Sequence, residues 1–135
     1  DTDPRECVEV YHVHCHFETD AEADARALQA ATIEFIKNSG QAVLHSFVWA
    51  EKNGPHDGSS WEFWVETPEA LGHAISYLAC NSSPGLYHPF HCDTGDEYSD
   101  HSGRMAWVGE RDHLDLLFFS ETPGYLGPKG PRKSD

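Results

Sequence analysis

A chain of 135 residues is the size of one domain, with room for one core and not for two. Its 23 Asp and Glu stand against 9 Lys and Arg, a formal charge of −14. Such a surface repels phosphate backbones and anionic lipids and argues against nucleic acid and membrane partners; no apolar run reaches the roughly 20 residues of a membrane helix.

The chain opens on "DTDPRE", without Met or a leader segment, which reads as a processed or trimmed start. Residues 8–17 alternate. Tyr11, Val13, Cys15 and Phe17 fall on one side, and Val10, His12, His14 and His16 on the other, the pattern of a half-buried strand. Thr19-Asp20-Ala21-Glu22 has the form of a capping box and opens a helix. Its inner stripe is expected to be Ala25, Leu28, Thr32, Phe35 and Ile36, with Gly40 past its end.

Residues 42–50 predict a second strand, 52–60 a turn-rich loop holding "GPH", and 61–66, "WEFWVE", a third strand. Thr67-Pro68-Glu69 starts a second helix running to about residue 80, with Leu71, Ile75 and Leu78 inward. Residues 86–92 predict a fourth strand. Pro89 interrupts it, which suggests an edge strand or a bulge. An acidic loop over 94–104, a short strand over 105–109 and an apolar run "LDLLFF" over 114–119 follow. Residues 121–135 are Pro- and Gly-rich and read as an extended tail behind a single domain of residues 1–120.

Strand, helix, strand, strand, helix, strand is the order of an α+β, ferredoxin-like βαββαβ antiparallel sheet, here with a C-terminal extension. The first strand is then central, between the third and the fourth. Both helices cover one face, and the other face is left for a site or a homodimer contact.

Val13, Cys15 and Phe17 should face the helices, so His12, His14 and His16 point to the open face. The fourth strand brings His91 beside them, and His56 lies at the entrance to the third. Three neighbouring segments thus offer imidazoles to one patch, which suits iron, copper or zinc; ordinary polar surface is the alternative. In "TGDEYSDH", residues 94–101, His101 is either part of a lid that supplies a general acid or base, or part of a solvated acidic turn. Arg104 is either an anchor for a substrate carboxylate or a surface ion pair.

The four cysteines, Cys7, Cys15, Cys80 and Cys92, lack CxxC spacing. They allow two disulfides in three connectivities, or four thiols of a cytosolic protein. With the glycosylation acceptor Asn81-Ser82-Ser83 they lean toward a secreted chain. In a secreted chain Cys15 and Cys92 are expected to pair. Each lies one residue beyond a candidate ligand, on paired strands and on the helix-covered side.

An ordered set of motifs resembles the DOPA 4,5-dioxygenase family: "YHVHCHF" at 11–17, "GPH" at 54–56, "WE" at 61–62, "HCDTGDE" at 91–97, "DH" at 100–101 and "RMAWVG" at 104–109. The likeness implies a non-haem Fe(II) centre, with zinc or copper as other metals for such a site. It implies cleavage by O2 of DOPA or a related catechol next to its diol. Carried onto this chain, it implies His14, His56 and His91 as metal ligands, with His12 in reserve as ligand or substrate contact. Glu62 is the replacement if one ligand is a carboxylate, and His101 is the general acid or base. Three places depart from the family pattern: Cys92 where Pro is usual, His16 where an aromatic is expected, and His88-Pro89 in the strand. A secreted, non-catalytic copper- or zinc-binding protein on the same fold is the alternative function, and a metal-free dimer module is a third.

Overall fold

The computed structural model of the chain describes residues 10–51, 56, 58–112 and 114. Cys7, the "LDLLFF" run beyond Leu114 and the expected tail lie outside the described residues. The elements are β1 (Val10–Phe17), α1 (Glu22–Asn38), β2 (His45–Trp49), β3 (Ser59–Val65), α2 (Pro68–Asn81), β4 (His88–Asp93), α3 (Glu97–Asp100) and β5 (Met105–Val108). The sheet runs β2-β3-β1-β4-β5 with every neighbouring pair antiparallel. This is the ferredoxin-like arrangement with β1 central and β5 added beyond β4.

Alternation decides the layers. Val13, Cys15 and Phe17 on β1 and Trp61, Phe63 and Val65 on β3 are buried beneath α1 and α2, where Ala25, Leu28, Ile36, Ala70, Ala74 and Leu78 complete the core. Trp61 is tied down at its polar end, its Nε1–H donating to Ala25 O at 2.6 Å. Gln29 joins α1 to the sheet through bonds to Phe47 O and Glu62 O, each 3.2 Å.

Several local expectations need correction. Thr19 does not cap α1. Thr19–Ala21 form a 3₁₀ turn that leads into the helix, and the position before each has no side-chain cap bond. Phe35 is 38 % exposed; it packs outside the core against Tyr77 and His73. In α2 the buried positions are Ala70, Ala74 and Leu78, so small residues make the close approach and Leu71 and Ile75 flank it. Thr67 caps this helix as expected, accepting from Ala70 N at 3.1 Å.

Pro89 sits in an internal strand, opposite Trp107 of β5. The continuous β1–β4 ladder stops at Val13–Phe90 and resumes as a bridge between His16 and Tyr87. The same register puts Pro89 opposite His14, where it has no N–H to donate. The His88 side chain fills the gap: its Nδ1–H donates to His14 O at 3.2 Å, and Ser82 Oγ meets its Nε2 at 2.6 Å. The ring is buried against Trp61.

Register also overturns the expected disulfide. Cys92 stands opposite Tyr11, four residues along β1 from Cys15. At about 3.4 Å per residue this separates the two cysteines far beyond the roughly 7 Å that a disulfide spans. Cys15, Cys80 and Cys92 all carry free thiols. Among the described residues, no helix is long and apolar enough to cross a membrane.

Candidate metal centre

The face away from the helices gathers imidazoles. On β1, His12 and His14 stand opposite Trp64 and Glu62 of β3. Across the other edge, His12 pairs with His91 of β4. His56 reaches the same patch from the loop before β3, bridged to Leu114. His101 arrives at the C-terminal end of α3. Ring centroids lie 4.0 Å apart for His14 and His56, 4.1 Å for His91 and His101, and 5.0 Å for His14 and His91. Among the described residues, two sets of three nitrogens each lie within 4.8 Å of one another: His12, His14 and His91, and His14, His56 and His101. His14 is common to both. The sequence-derived ligands His14, His56 and His91 are therefore together in space, but divided between two sets that share one member.

Burial makes these rings neutral. It pushes the imidazoles of His14 and His91 well below their ordinary pKa and lowers His56 and His101, and it brings His12 down to about 4. A neutral imidazole has one donor nitrogen and one lone-pair nitrogen, and the surroundings assign several of them. His91 Nδ1–H donates to Cys92 O and His101 Nδ1–H to Glu97 O, each at 2.8 Å. Both rings therefore carry the lone pair on Nε2.

This donor set fits a divalent metal. His14 Nε2 lies 2.9 Å from His91 Nε2, close to the ~3 Å between two nitrogens that each bind one ion at about 2.1 Å at right angles. His14 Nδ1 and His12 Nε2 are buried without a hydrogen-bond partner among the described residues, so protein groups do not saturate the imidazole cluster. Glu62 supplies negative charge at 3.9 Å from His14 Nδ1 and 4.0 Å from His12 Nδ1. Burial raises its carboxyl, while the indole N–H of Trp64 donates to it and favours the ionised form.

Beside the imidazoles a pocket of about 300 Å³ is lined by Phe47, Trp49, Trp64, Glu62 and Glu97 along with His12, His14, His56 and His101. The His12 ring lies flat on Trp64 at 4.5 Å. Phe47 and Trp49 form the far wall; the sequence reading missed them, although the alternation of β2 against "WEFWVE" places them on this face. The acidic loop is built mainly for its own shape. Asp100 Oδ atoms accept from Thr94 N at 2.8 Å and Thr94 Oγ1 at 2.7 Å, and Asp96 accepts from Ser99 N. Arg104 donates to Thr94 Oγ1 at 3.0 Å and lies 4.0 Å from Asp100, with about half of its side chain exposed. It braces this loop and does not line the pocket.

A family model described as the Dopa 4,5-dioxygenase family matches residues 11–118. A DOPA 4,5-dioxygenase of Amanita muscaria is 30 % identical over 115 residues, 81 % of this chain and 49 % of that protein. An uncharacterized 21.2 kDa protein of Botryotinia fuckeliana is 39 % identical over 74 residues, 50 % of this chain and 40 % of that protein. The chain thus spans less than half the length of either curated relative. A crystal structure from Nostoc punctiforme, described as that of a candidate dioxygenase, superposes with a TM-score of 0.72 at 19 % identity, covering 88 % of this chain and 97 % of that one; at this identity the likeness speaks for the fold.

Proposed function

This chain belongs to the Dopa 4,5-dioxygenase family, and from that premise we propose that it is a metal-dependent dioxygenase that opens the ring of a catechol with O2. One observation carries the reading: His14 Nε2 lies 2.9 Å from His91 Nε2, whose lone pair faces it, in a buried nest of neutral imidazoles beside an aromatic pocket. His14, the ring shared by both sets, takes the metal together with His91 from one set and His56 from the other. Iron(II) held there supplies a Lewis acid that can also exchange electrons with O2.

The rest of the chemistry belongs to the chain. Phe47, Trp49 and Trp64 line the pocket with aromatic surface against which a substrate ring packs and which sheds water. Glu62 places its carboxylate 3.9 Å from His14 Nδ1, where its negative charge favours a proton on that nitrogen and leaves Nε2 for the metal. His101, neutral because it is buried and with Nδ1–H fixed on Glu97 O, presents Nε2 as the base for a catechol hydroxyl proton. It returns that proton as the ring opens. The carbon–carbon bond next to the diol breaks, both atoms of O2 enter the product, and a muconic semialdehyde results.

The test is elemental analysis of the isolated protein, then anaerobic loading with Fe(II), then addition of catechols and air. A yellow ring-opened product that forms only with metal is expected. One tightly bound metal with no turnover of any catechol would overturn catalysis and leave the metal-binding protein. No bound metal would overturn both.

A further inference from the structure

His14 and His91 are held in place by the strands that carry them. His56 lies in the loop before β3 and, among the described residues, takes part in a single bridge, to Leu114, so its ring needs another constraint. His16, the third imidazole of β1, supplies the contact. Its Nε2 lies 2.8 Å from His56 Nδ1, and its Nδ1 lies 3.1 Å from Asp112 Oδ2. His16 and His56 are 1 % and 2 % exposed. The two rings meet edge to face at 77°, and Trp107 closes the side of His16 at 87°.

With His16 neutral, the form that burial at 1 % exposure favours, one direction of this chain follows. A carboxylate only accepts, so His16 Nδ1 carries the proton and donates to Asp112. In a neutral ring His16 Nε2 is then the lone pair, and His56 Nδ1–H donates to it. His56 is left with its lone pair on Nε2, the tautomer that His91 and His101 also adopt. We propose that Asp112 and His16 are positioning residues that set the tautomer and orientation of His56 for metal binding, and that His16 is not itself a ligand. The inference rests on the metal-binding reading above. It gives Asp112, in the segment beyond β5, a part in the site, and it accounts for an imidazole at a position where the family resemblance leads one to expect an aromatic. Partners of this kind orient a ligand ring and raise its affinity for the metal.

The experiment uses two readouts. In metal-free protein with ¹⁵N-labelled histidine, long-range ¹H–¹⁵N spectra report the tautomer of His56. The parent and His16→Gln, whose amide oxygen still accepts, should show the Nδ1–H form. His16→Phe, with similar shape and no acceptor, should show a mixture or the Nε2–H form. In Zn²⁺ titrations against a chromophoric chelator, His16→Phe should bind with unchanged stoichiometry and roughly 10- to 100-fold weaker, and His16→Gln within about threefold of the parent. Parental affinity in His16→Phe, or equal loss in both variants, would overturn the proposal. If His16→Phe does not fold, Asp112→Ala at the exposed end of the chain takes its place, expected to give a mixed tautomer and a few-fold weaker affinity; an unchanged spectrum there overturns it. A parent that binds no metal would sink the underlying function, while the tautomer spectra would still decide the relay.

Discussion

On β4, His88 and His91 stand three residues apart and face opposite sides of the sheet. Both are buried, at 1 % and 3 % exposure, and burial lowers the pKa of both. Neither property tells them apart. The difference is in how the surrounding protein uses their nitrogens. His88 has both nitrogens engaged, on Ser82 and on the carbonyl of His14 that Pro89 leaves unpaired. His91 has Nδ1 on a carbonyl and Nε2 against another Nε2. His88 is tied to a hydroxyl and a backbone carbonyl and serves as a cross-link; His91 turns its second nitrogen to another imidazole, in a cluster that could hold a metal.

The largest expected effect breaks that comparison open. His14→Ala and His91→Ala should each abolish one-to-one metal binding while the far-ultraviolet spectrum of the fold persists. His88→Ala should keep the metal and instead lower stability by about 1–3 kcal/mol, since a buried carbonyl loses its donor. Metal analysis and urea unfolding read both quantities, and loss of metal from His88→Ala would erase the distinction.

His101 sharpens the comparison, because it lies in one of the two candidate ligand sets and is also the proposed base. His101→Ala is expected to retain one metal per chain and to slow turnover about 10²- to 10⁴-fold. Loss of the metal would make His101 a ligand, and undiminished turnover would remove it from the chemistry.

The two faces can be compared again at adjacent residues of β3. Phe63 is fully buried under the helices, whereas Trp64 lies flat against His12 on the open face. Phe63→Ala should cost about 3–5 kcal/mol in chemical denaturation. Trp64→Ala should cost about 1 kcal/mol and show its main effect as weaker catechol binding.

A further effect is graded by pH. In the folded protein burial lowers His88 from 6.5 to about 4, so the unfolded chain binds the extra proton between those values. The stability that His88 contributes is whole above pH 6.5 and falls as pH drops toward 4, by up to about 1.4 kcal/mol per pH unit. Urea midpoints of metal-free protein across this window should slope downward toward acid, less steeply in His88→Ala. Equal slopes in the two proteins would remove His88 as a source.

Much of this architecture was legible beforehand. Alternation in "YHVHCHF" assigned Val13, Cys15 and Phe17 to the core and the three histidines to the open face. The cap and proline at Thr67-Pro68 placed α2. The order of elements made β1 central, which brought His91 and His56 to the same side as His14. Other features left no local mark. Gln29 reads as a surface residue until its two carbonyl partners are seen, and Phe35 fits the helical period of the core stripe yet falls just outside it. Asp112 is one acidic residue among many until the chain returns past β5 to His16.

By itself, then, the sequence determined which face each side chain of a strand would occupy, because the two-residue period of a strand is local and burial of apolar surface enforces it. Only the tertiary structure decided register. Loops and helix packing set how far one strand slides along the next. That slide put Cys92 opposite Tyr11 instead of Cys15, left His14 O facing a proline that cannot donate, and brought His14 Nε2 against His91 Nε2.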